Sequence, residues 1–262
     1  MKPFPFDYER PRDLAEAAKL LAQGGDGARV IAGGQSLGPM LNLRLTRPSL
    51  LVDISRLPEL TGVETAPDAI TIGAALTHAS IEDRRIPDIG QEALYRIAGN
   101  IAYRAVRNRG TIGGSIAHAD PAADWVTALT ALGASVVTYR AGDGGRTIPL
   151  EGFFLAGFVT ALKPGEIVRA IRVPRLSASA RWGWYKITRK PGEFAAAIGA
   201  VLTDPARNLR RAVIGATGGP PVLLEEVPTA DEALAAALPG IDALDRKLYG
   251  AALRRAEAIT RP

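Results

Sequence analysis

Leu14, Ala17, Ala18, Leu20 and Leu21 recur at helical spacing behind Pro11-Arg12-Asp13, and Gly24-Gly25 ends the run, which predicts a first helix. Ala28-Arg29-Val30-Ile31 predicts a short buried strand that runs into Ala32-Gly33-Gly34-Gln35-Ser36-Leu37. Leu41 to Leu45 follows, and Leu50-Leu51-Val52-Asp53-Ile54 reads as a second strand. The result is a small βαβ-like unit with a glycine-rich turn at the carboxyl end of a strand.

From about residue 60 the pattern changes. Ala69 to Ala74 predicts a strand; Ile81-Glu82 onward and Gln91 to Ile101 predict helices, the latter with Leu94, Ile97, Ala98 and Ile101 on one face. A second glycine loop, Gly110-Thr111-Ile112-Gly113-Gly114-Ser115, leads to a predicted helix over Ala123–Leu132. The predicted strands Ser135–Arg140 and Arg146–Leu150 flank Gly142-Asp143-Gly144-Gly145, a strong hairpin signal, and Ile167 to Val173 predicts another strand.

Arg175 to Ala180 has linker composition. Beyond it, Trp184–Ile187, Ala195–Leu202 and Arg211–Thr217 predict three strands, followed by helices over Thr229–Ala237 and Ile241–Ile259. The last helix presents Leu244, Leu248 and Ala252 along one side. Strands followed by helices predict an α+β carboxyl-terminal domain with a three-stranded antiparallel sheet. The expected division is 1–175, with subdomains of about 1–58 and 59–175, and then 180–262.

Composition narrows the chemistry. The 262 residues are 47% hydrophobic and 23% charged with 28 glycines, as in a globular protein. No apolar run reaches the ~18 residues of a membrane span, and the start lacks the layout of a signal peptide, so a cytoplasmic chain is expected. With no cysteine, disulfides, iron–sulfur ligation and a thiol nucleophile are excluded from this chain. Two histidines, His78 and His118, argue against a histidine-rich metal site. The net charge of +5 comes without a basic arm or an interleaving of aromatic and basic residues, so an anionic cofactor is expected rather than nucleic acid.

The two glycine loops fit neither the common dinucleotide fingerprint nor the Walker pattern. Paired glycines nonetheless permit successive backbone N–H groups to converge on an anion. Gln35 and Ser36 add neutral donors to the first loop, and two hydroxyls join the second. The alternative for the first loop is a strand-to-helix turn that needs glycine for geometry alone. Asp120 suits a helix N-cap. Asp124 is expected one turn inside that helix, as a ribose acceptor or in a helix-dipole or solvent-facing role. Two such turns in one chain point towards a large phosphorylated cofactor between two subdomains.

Ala32–Leu37, Leu43-Arg44-Leu45, Arg47-Pro48 and Leu51–Ile54 together resemble the first FAD loop of the flavin-carrying medium subunit of carbon monoxide dehydrogenase-type and xanthine dehydrogenase-type molybdenum hydroxylases. Val106 to Asp124 is similar to the second loop of that family almost throughout. Phe4 to Tyr8, Gly73 to His78, Glu166-Ile167-Val168 and Arg172-Val173-Pro174 fit as well, so the resemblance covers roughly residues 3 to 256. It implies a vanillyl-alcohol-oxidase-like FAD-binding domain of two subdomains plus the small α+β domain. The cofactor-binding set it implies is Ala32, Gly33, Gly34, Gln35, Ser36, Leu37, Thr77, Thr111, Ile112, Gly113, Gly114, Ser115, Asp120, Asp124, Ile167, Val168 and Lys186. The loop backbones would hold the pyrophosphate, Asp124 the ribityl or ribose region, and Ile167 and Val168 apolar walls. Lys186 would lie near the isoalloxazine, and Trp184 or Tyr185 would approach the flavin face.

The implied function is an electron-transfer subunit with non-covalent FAD. Molybdopterin and [2Fe-2S] clusters would reside on a large and a small partner subunit, in a dimer of heterotrimers. A self-contained flavin oxidase or dehydrogenase of the same fold is the alternative; it needs its own substrate pocket and base. Trp182, Trp184 and Tyr185 are equally readable as core residues. A bulky residue at Gly33 or Gly114 is expected to abolish FAD retention while the fold survives.

Overall fold

The computed structural model describes residues 2–224 and 230–261. Its first unit contains β1 (Asp7–Glu9), α1 (Leu14–Gly24), β2 (Ala28–Ile31), α2 (Leu37–Asn42) and β3 (Leu50–Asp53). The three strands are parallel, with β3 between β1 and β2. Asp13 caps α1 by accepting the Glu16 amide at 2.7 Å. The stripe Leu14, Ala17, Ala18 and Leu21 packs on Val52, Ile54, Leu57 and Leu60. The βαβ-like unit is therefore present, with β1 as an additional strand too short for its alternation to be read.

The second unit runs through β4 (Val63–Thr65), β5 (Ala69–Gly73), α3 (His78–Glu82), α4 (Ala93–Gly99), α5 (Arg104–Arg107), α6 (Ile112–His118), α7 (Asp124–Ala131), β6 (Ser135–Tyr139) and β7 (Thr147–Pro149). It continues with the hairpin strands β8 (Phe154–Ala156) and β9 (Val159–Thr160), and ends on β10 (Ile167–Pro174). A five-stranded antiparallel sheet has the order β4-β5-β10-β6-β7. The last strand of the unit is thus its centre, and β6 and β7 pair across the predicted glycine hairpin.

The third unit contains β11 (Arg181–Ile187), β12 (Ala197–Asp204), β13 (Leu209–Gly215), β14 (Val222–Leu224), α8 (Ala230–Ala237) and α9 (Ala243–Ile259). Among the described residues its antiparallel sheet has four strands, not three, in the order β11-β12-β13-β14. The fourth is a three-residue edge strand after a Gly-Pro turn, too short to show a period of two. The expected start of α8 at Thr229 lies outside the described residues.

Both faces of this sheet are covered. Val201, Ala212 and Ile214 point to α9, where they meet Tyr249, Ala252, Leu253 and Ala256. Leu244, expected on that stripe, is 67% exposed, because the contacting face runs through Tyr249 and Leu253 instead. A Cβ on Gly199 would sit 2.6 Å from the Ala252 carbonyl carbon, so α9 lies directly on bare backbone. Ala200, Leu202, Val213 and Trp182 point the other way, into the large core built around α7. Every residue of α7 is buried.

Candidate functional site

The first glycine loop leaves β2 and enters α2; the second leaves α5 and enters α6. They meet along a seam. A Cβ on Gly33 would lie 2.7 Å from the Arg109 carbonyl carbon and 2.8 Å from the Gly110 Cα, closer than a real Cβ comes to any atom. Gly34 adopts φ of +72°, which turns the chain into α2. Gln35 folds back, its side-chain amide donating to the Gly33 carbonyl at 3.2 Å. Ser36 stands at the N-cap of α2 without making a side-chain cap, so its hydroxyl is exposed beside the seam. Leu37 opens the helix.

The second loop is anchored from below by the segment Ala74–His78. The Gly113 and Ile112 amides donate to the Ala74 and Leu76 carbonyls at 2.9 and 3.0 Å, and the His78 amide donates to Gly110 at 2.9 Å. Thr77 pairs with Thr111 in an isolated antiparallel bridge. Each threonine also caps a helix, Thr77 accepting the Ser80 amide and Thr111 the Gly114 amide, both at 3.1 Å. A Cβ on Gly113 would strike the Ala74 backbone at 2.7 Å. Ser115 lies half-buried in the following turn. Among the described residues, the amides of Gly33, Gly34, Gln35 and Thr111 donate to no protein acceptor. Both sides of the seam therefore carry N–H groups without a protein acceptor, donors available to an anion.

Asp120 is not an N-cap. Its carboxylate accepts the Ala122 amide at 2.9 Å in a turn, and α7 starts only at Asp124 behind the capless Ala123. Asp124 is consequently the first residue of α7 rather than one turn inside. It is buried, and Lys186 Nζ lies 3.0 Å from both of its oxygens, with only Oδ2 in hydrogen-bonding geometry. Burial raises the Asp124 carboxyl above the ordinary aspartate value, opposed by the attraction of Lys186.

Strand alternation separates the three candidates on β11. Trp184 and Lys186 share the face that looks into the large core. Tyr185 points the opposite way, packing under α9 with its hydroxyl 2.7 Å from Arg255. Trp184 Nε1 and Asp124 Oδ1 are both buried without a hydrogen-bond partner. Ile167 and Val168 also diverge: Ile167 packs into the core of the first unit and Val168 into the large core.

Sequence reasoning missed several supports. His78 is buried beneath Gly110, and its Nδ1 accepts the Trp125 indole N–H at 3.1 Å. Burial, with Arg107 nearby, pushes its pKa down to about 4, so it is neutral at pH 7. Arg107 grips Glu82 with two hydrogen bonds of 2.8 Å and also donates to the Ile101 and Ala102 carbonyls, fixing the approach to the second loop. The Tyr103 hydroxyl donates to the Pro191 carbonyl, and its ring lies where a Gly192 Cβ would be. The pairs Arg107–Glu82, His78–Trp125 and Tyr103–Pro191 lie 25 to 88 residues apart, and no local pattern announces them. His118 is half-buried against Phe158, ring centroids 5.2 Å apart. One signal was available in the sequence: both loops lie in stretches without an acidic residue, 27–52 and 93–119, which carry Arg29, Arg44, Arg47, Arg96, Arg104, Arg107 and Arg109.

Residues 4–176 match the FAD binding domain in molybdopterin dehydrogenase. This chain belongs to that family, the FAD-binding medium subunits of the molybdopterin dehydrogenases. It is 37% identical over 273 residues to the 6-hydroxypseudooxynicotine dehydrogenase complex subunit alpha of Paenarthrobacter nicotinovorans, covering 99% of this chain and 92% of that one. To the carbon monoxide dehydrogenase medium chain of Hydrogenophaga pseudoflava it is 38% identical over 208 residues, 79% of this chain and 72% of that one. A solved structure of that organism's carbon monoxide dehydrogenase, lacking the Mo-pyranopterin moiety of the molybdenum cofactor, superposes with a TM-score of 0.91. The identity there is 32%, over 99% of this chain and 98% of the other. Medium subunits of this family are oxidoreductase components with an FAD-binding domain followed by an antiparallel carboxyl-terminal sheet domain, and this chain has both parts. Among the described residues no helix is long and apolar enough to cross a membrane, and no cluster of three or more His, Asp or Glu could hold a metal ion.

Proposed function

We propose that this chain is the FAD-carrying electron-transfer subunit of a multi-subunit molybdenum hydroxylase. The observation that carries the reading is the seam: two glycine loops in backbone contact, with free amides on both sides. Such a cradle suits a pyrophosphate, because N–H groups held by glycine-tight packing need no reorganisation to receive it. Ala32 to Leu37 and Thr111 to Ser115 would line it, with Thr77 setting the second loop. The buried pair Asp124 and Lys186, beside Trp184, offers polar groups to the ribityl and flavin portions. Asp120, Ile167 and Val168 would act through the turn and walls that support these groups. In this reading the FAD-binding part is residues 1–175, in subdomains 1–58 and 59–175, and 180–262 forms the sheet domain that brings Lys186 to it.

Bound FAD, held without a covalent link, supplies reversible uptake and release of two electrons. The chain's own part is to orient that cofactor, to keep a positive ammonium and a neutral histidine near it, and to exclude water from its inner side. Electrons would arrive from iron–sulfur clusters of a small partner subunit, reduced in turn by a molybdopterin-bearing large subunit, in a dimer of heterotrimers, and leave to an external acceptor. The absence of cysteine fits this division, since the clusters then belong to another chain. The relatives' names as medium chains and complex subunits support it.

A visible absorption spectrum of the purified chain, with heat release and chromatography of the chromophore, tests the cofactor. Released FAD, one per chain, is expected. A colourless protein that also fails to take up added FAD would exclude the reading. Co-purification with tagged large and small subunits tests the assembly.

A further inference from the structure

The Arg109 backbone stands at the centre of the seam, and among the described residues nothing occupies its guanidinium. Its carbonyl faces Gly33, its amide donates to Val106 at 3.1 Å, and the next residue is held on both sides, Gly110 N–H by Val106 and Gly110 O by the His78 amide. The backbone that carries the side chain is therefore pinned at each neighbouring peptide. The side chain itself is exposed, and among the described residues it makes no hydrogen bond, ion pair or ring contact. Its neighbours in the same cluster are occupied: Arg104 by Glu82, Asp83 and Asn108, and Arg107 by Glu82 and two carbonyls. Arg44 and Arg47, across on the first loop's side, are stacked on the Phe4 ring at 4.7 and 4.3 Å. Arg109 is thus an unpaired cation on a rigid base, two residues from the free Thr111 amide and in a stretch with no acidic residue.

We propose that Arg109 is the charged contact of the cofactor's pyrophosphate, completing a cradle whose other donors are neutral amides. This rests on the FAD reading above. Neutral N–H groups fix the position of the phosphates, whereas a guanidinium adds a charge-assisted, salt-sensitive contribution and can bond two oxygens at once. The contact specifies the phosphorylated part of the ligand and is indifferent to the isoalloxazine ring.

The test uses the full chain stripped of flavin and titrated with FAD, followed by flavin fluorescence at several salt concentrations. Arg109→Gln is expected to weaken FAD binding by about tenfold or more and to flatten the dependence of affinity on salt. Riboflavin, which lacks the phosphates, is expected to bind the parent and the variant alike. Arg109→Lys should recover part of the loss, and Lys19→Gln, which removes an exposed charge from α1, should change nothing. If Arg109→Gln binds FAD with the parent's affinity and salt slope, the proposal is overturned while the FAD reading stands. An equal loss for FAD and riboflavin would overturn it too, since it would report a distorted loop rather than a lost phosphate contact. A parent chain that takes up no FAD would overturn both.

Discussion

At the residue scale, the glycines of the two loops are not equivalent. Gly33 faces rigid backbone, so Gly33→Ala must push the loops apart. The expected outcome is loss of bound FAD with a nearly unchanged far-ultraviolet circular dichroism spectrum. A Cβ on Gly114 would meet only the Thr111 hydroxyl, a side-chain atom that can yield where backbone cannot, at the cost of its cap on the Gly114 amide. Gly114→Ala should therefore weaken FAD retention less than Gly33→Ala does, and measuring the flavin content of both purified variants checks the order. Glu166 gives a second residue-scale outcome. Its carboxylate accepts from Arg146, Thr138 and the Lys163 amide, with Arg146 contributing most, and its pKa falls to about 2 from an ordinary 4.5. A depressed acid stabilises the fold above its unfolded pKa, and that stabilisation disappears as pH falls from about 4.5 towards 2. Glu166→Gln should cost roughly 2–3 kcal/mol at pH 7. It should also remove this part of the acid limb, read by urea denaturation at pH 7 and pH 3.

How much of this was legible in the sequence depends on how far each signal reaches along the chain. The glycine loops, the α1 stripe and the β6–β7 hairpin are written in adjacent residues, and each lies where local patterning puts it. Asp124 was singled out, but its ion pair with Lys186 spans 62 positions and belongs to the packing of two units. The choice between Trp184 and Tyr185 was open because alternation says that neighbours face opposite ways without saying which face meets which partner. Asp120 misled for a related reason. An Asp-Pro-Ala-Ala turn closes on its own amides before the helix begins, so a good capping residue is used up one turn early.

At the scale of elements, α9 and the carboxyl-terminal sheet are joined through bare backbone. Gly199 faces the Ala252 carbonyl and Gly183 the carbonyl of Ala256, so two strands accept the helix without side chains between. Gly199→Val should lift α9 from the sheet. The expected loss is on the order of 3 kcal/mol or more, visible as a lower Tm. Leu244, which points to solvent, should tolerate Gln with a change within about 0.5 kcal/mol. The contrast identifies the contacting face of the helix better than its sequence stripe does.

At the scale of the molecule, Lys186 joins the sheet domain to α7 through a buried ion pair, and Arg211 repeats the connection by donating to the Thr130 carbonyl and pairing with Glu151. Lys186→Met would leave Asp124 buried without a counter-charge, at a cost of roughly 3–5 kcal/mol. The pH dependence has a definite sign. Burial already raises the Asp124 carboxyl above 3.8, and removing the ammonium raises it further. A raised acid is tolerated while protonated and loses stability as pH climbs through its folded pKa. Lys186→Met should accordingly be more destabilised at pH 8 than at pH 4.5, measured by thermal unfolding of both proteins.

α7 has no face open to water: one side rests in the second unit and the other on β12 and β13. A chain emerging from the ribosome makes this helix early and its cover late. Until β13 has been synthesised, one whole side of α7 remains wet and Asp124 waits for an ammonium that follows 62 residues behind it. Both glycine loops are synthesised before then, yet the sheet beneath the second closes only when β10, its central strand, has arrived. The order of translation thus runs from the loops, through the strand that supports them, to the ammonium that neutralises the buried carboxylate.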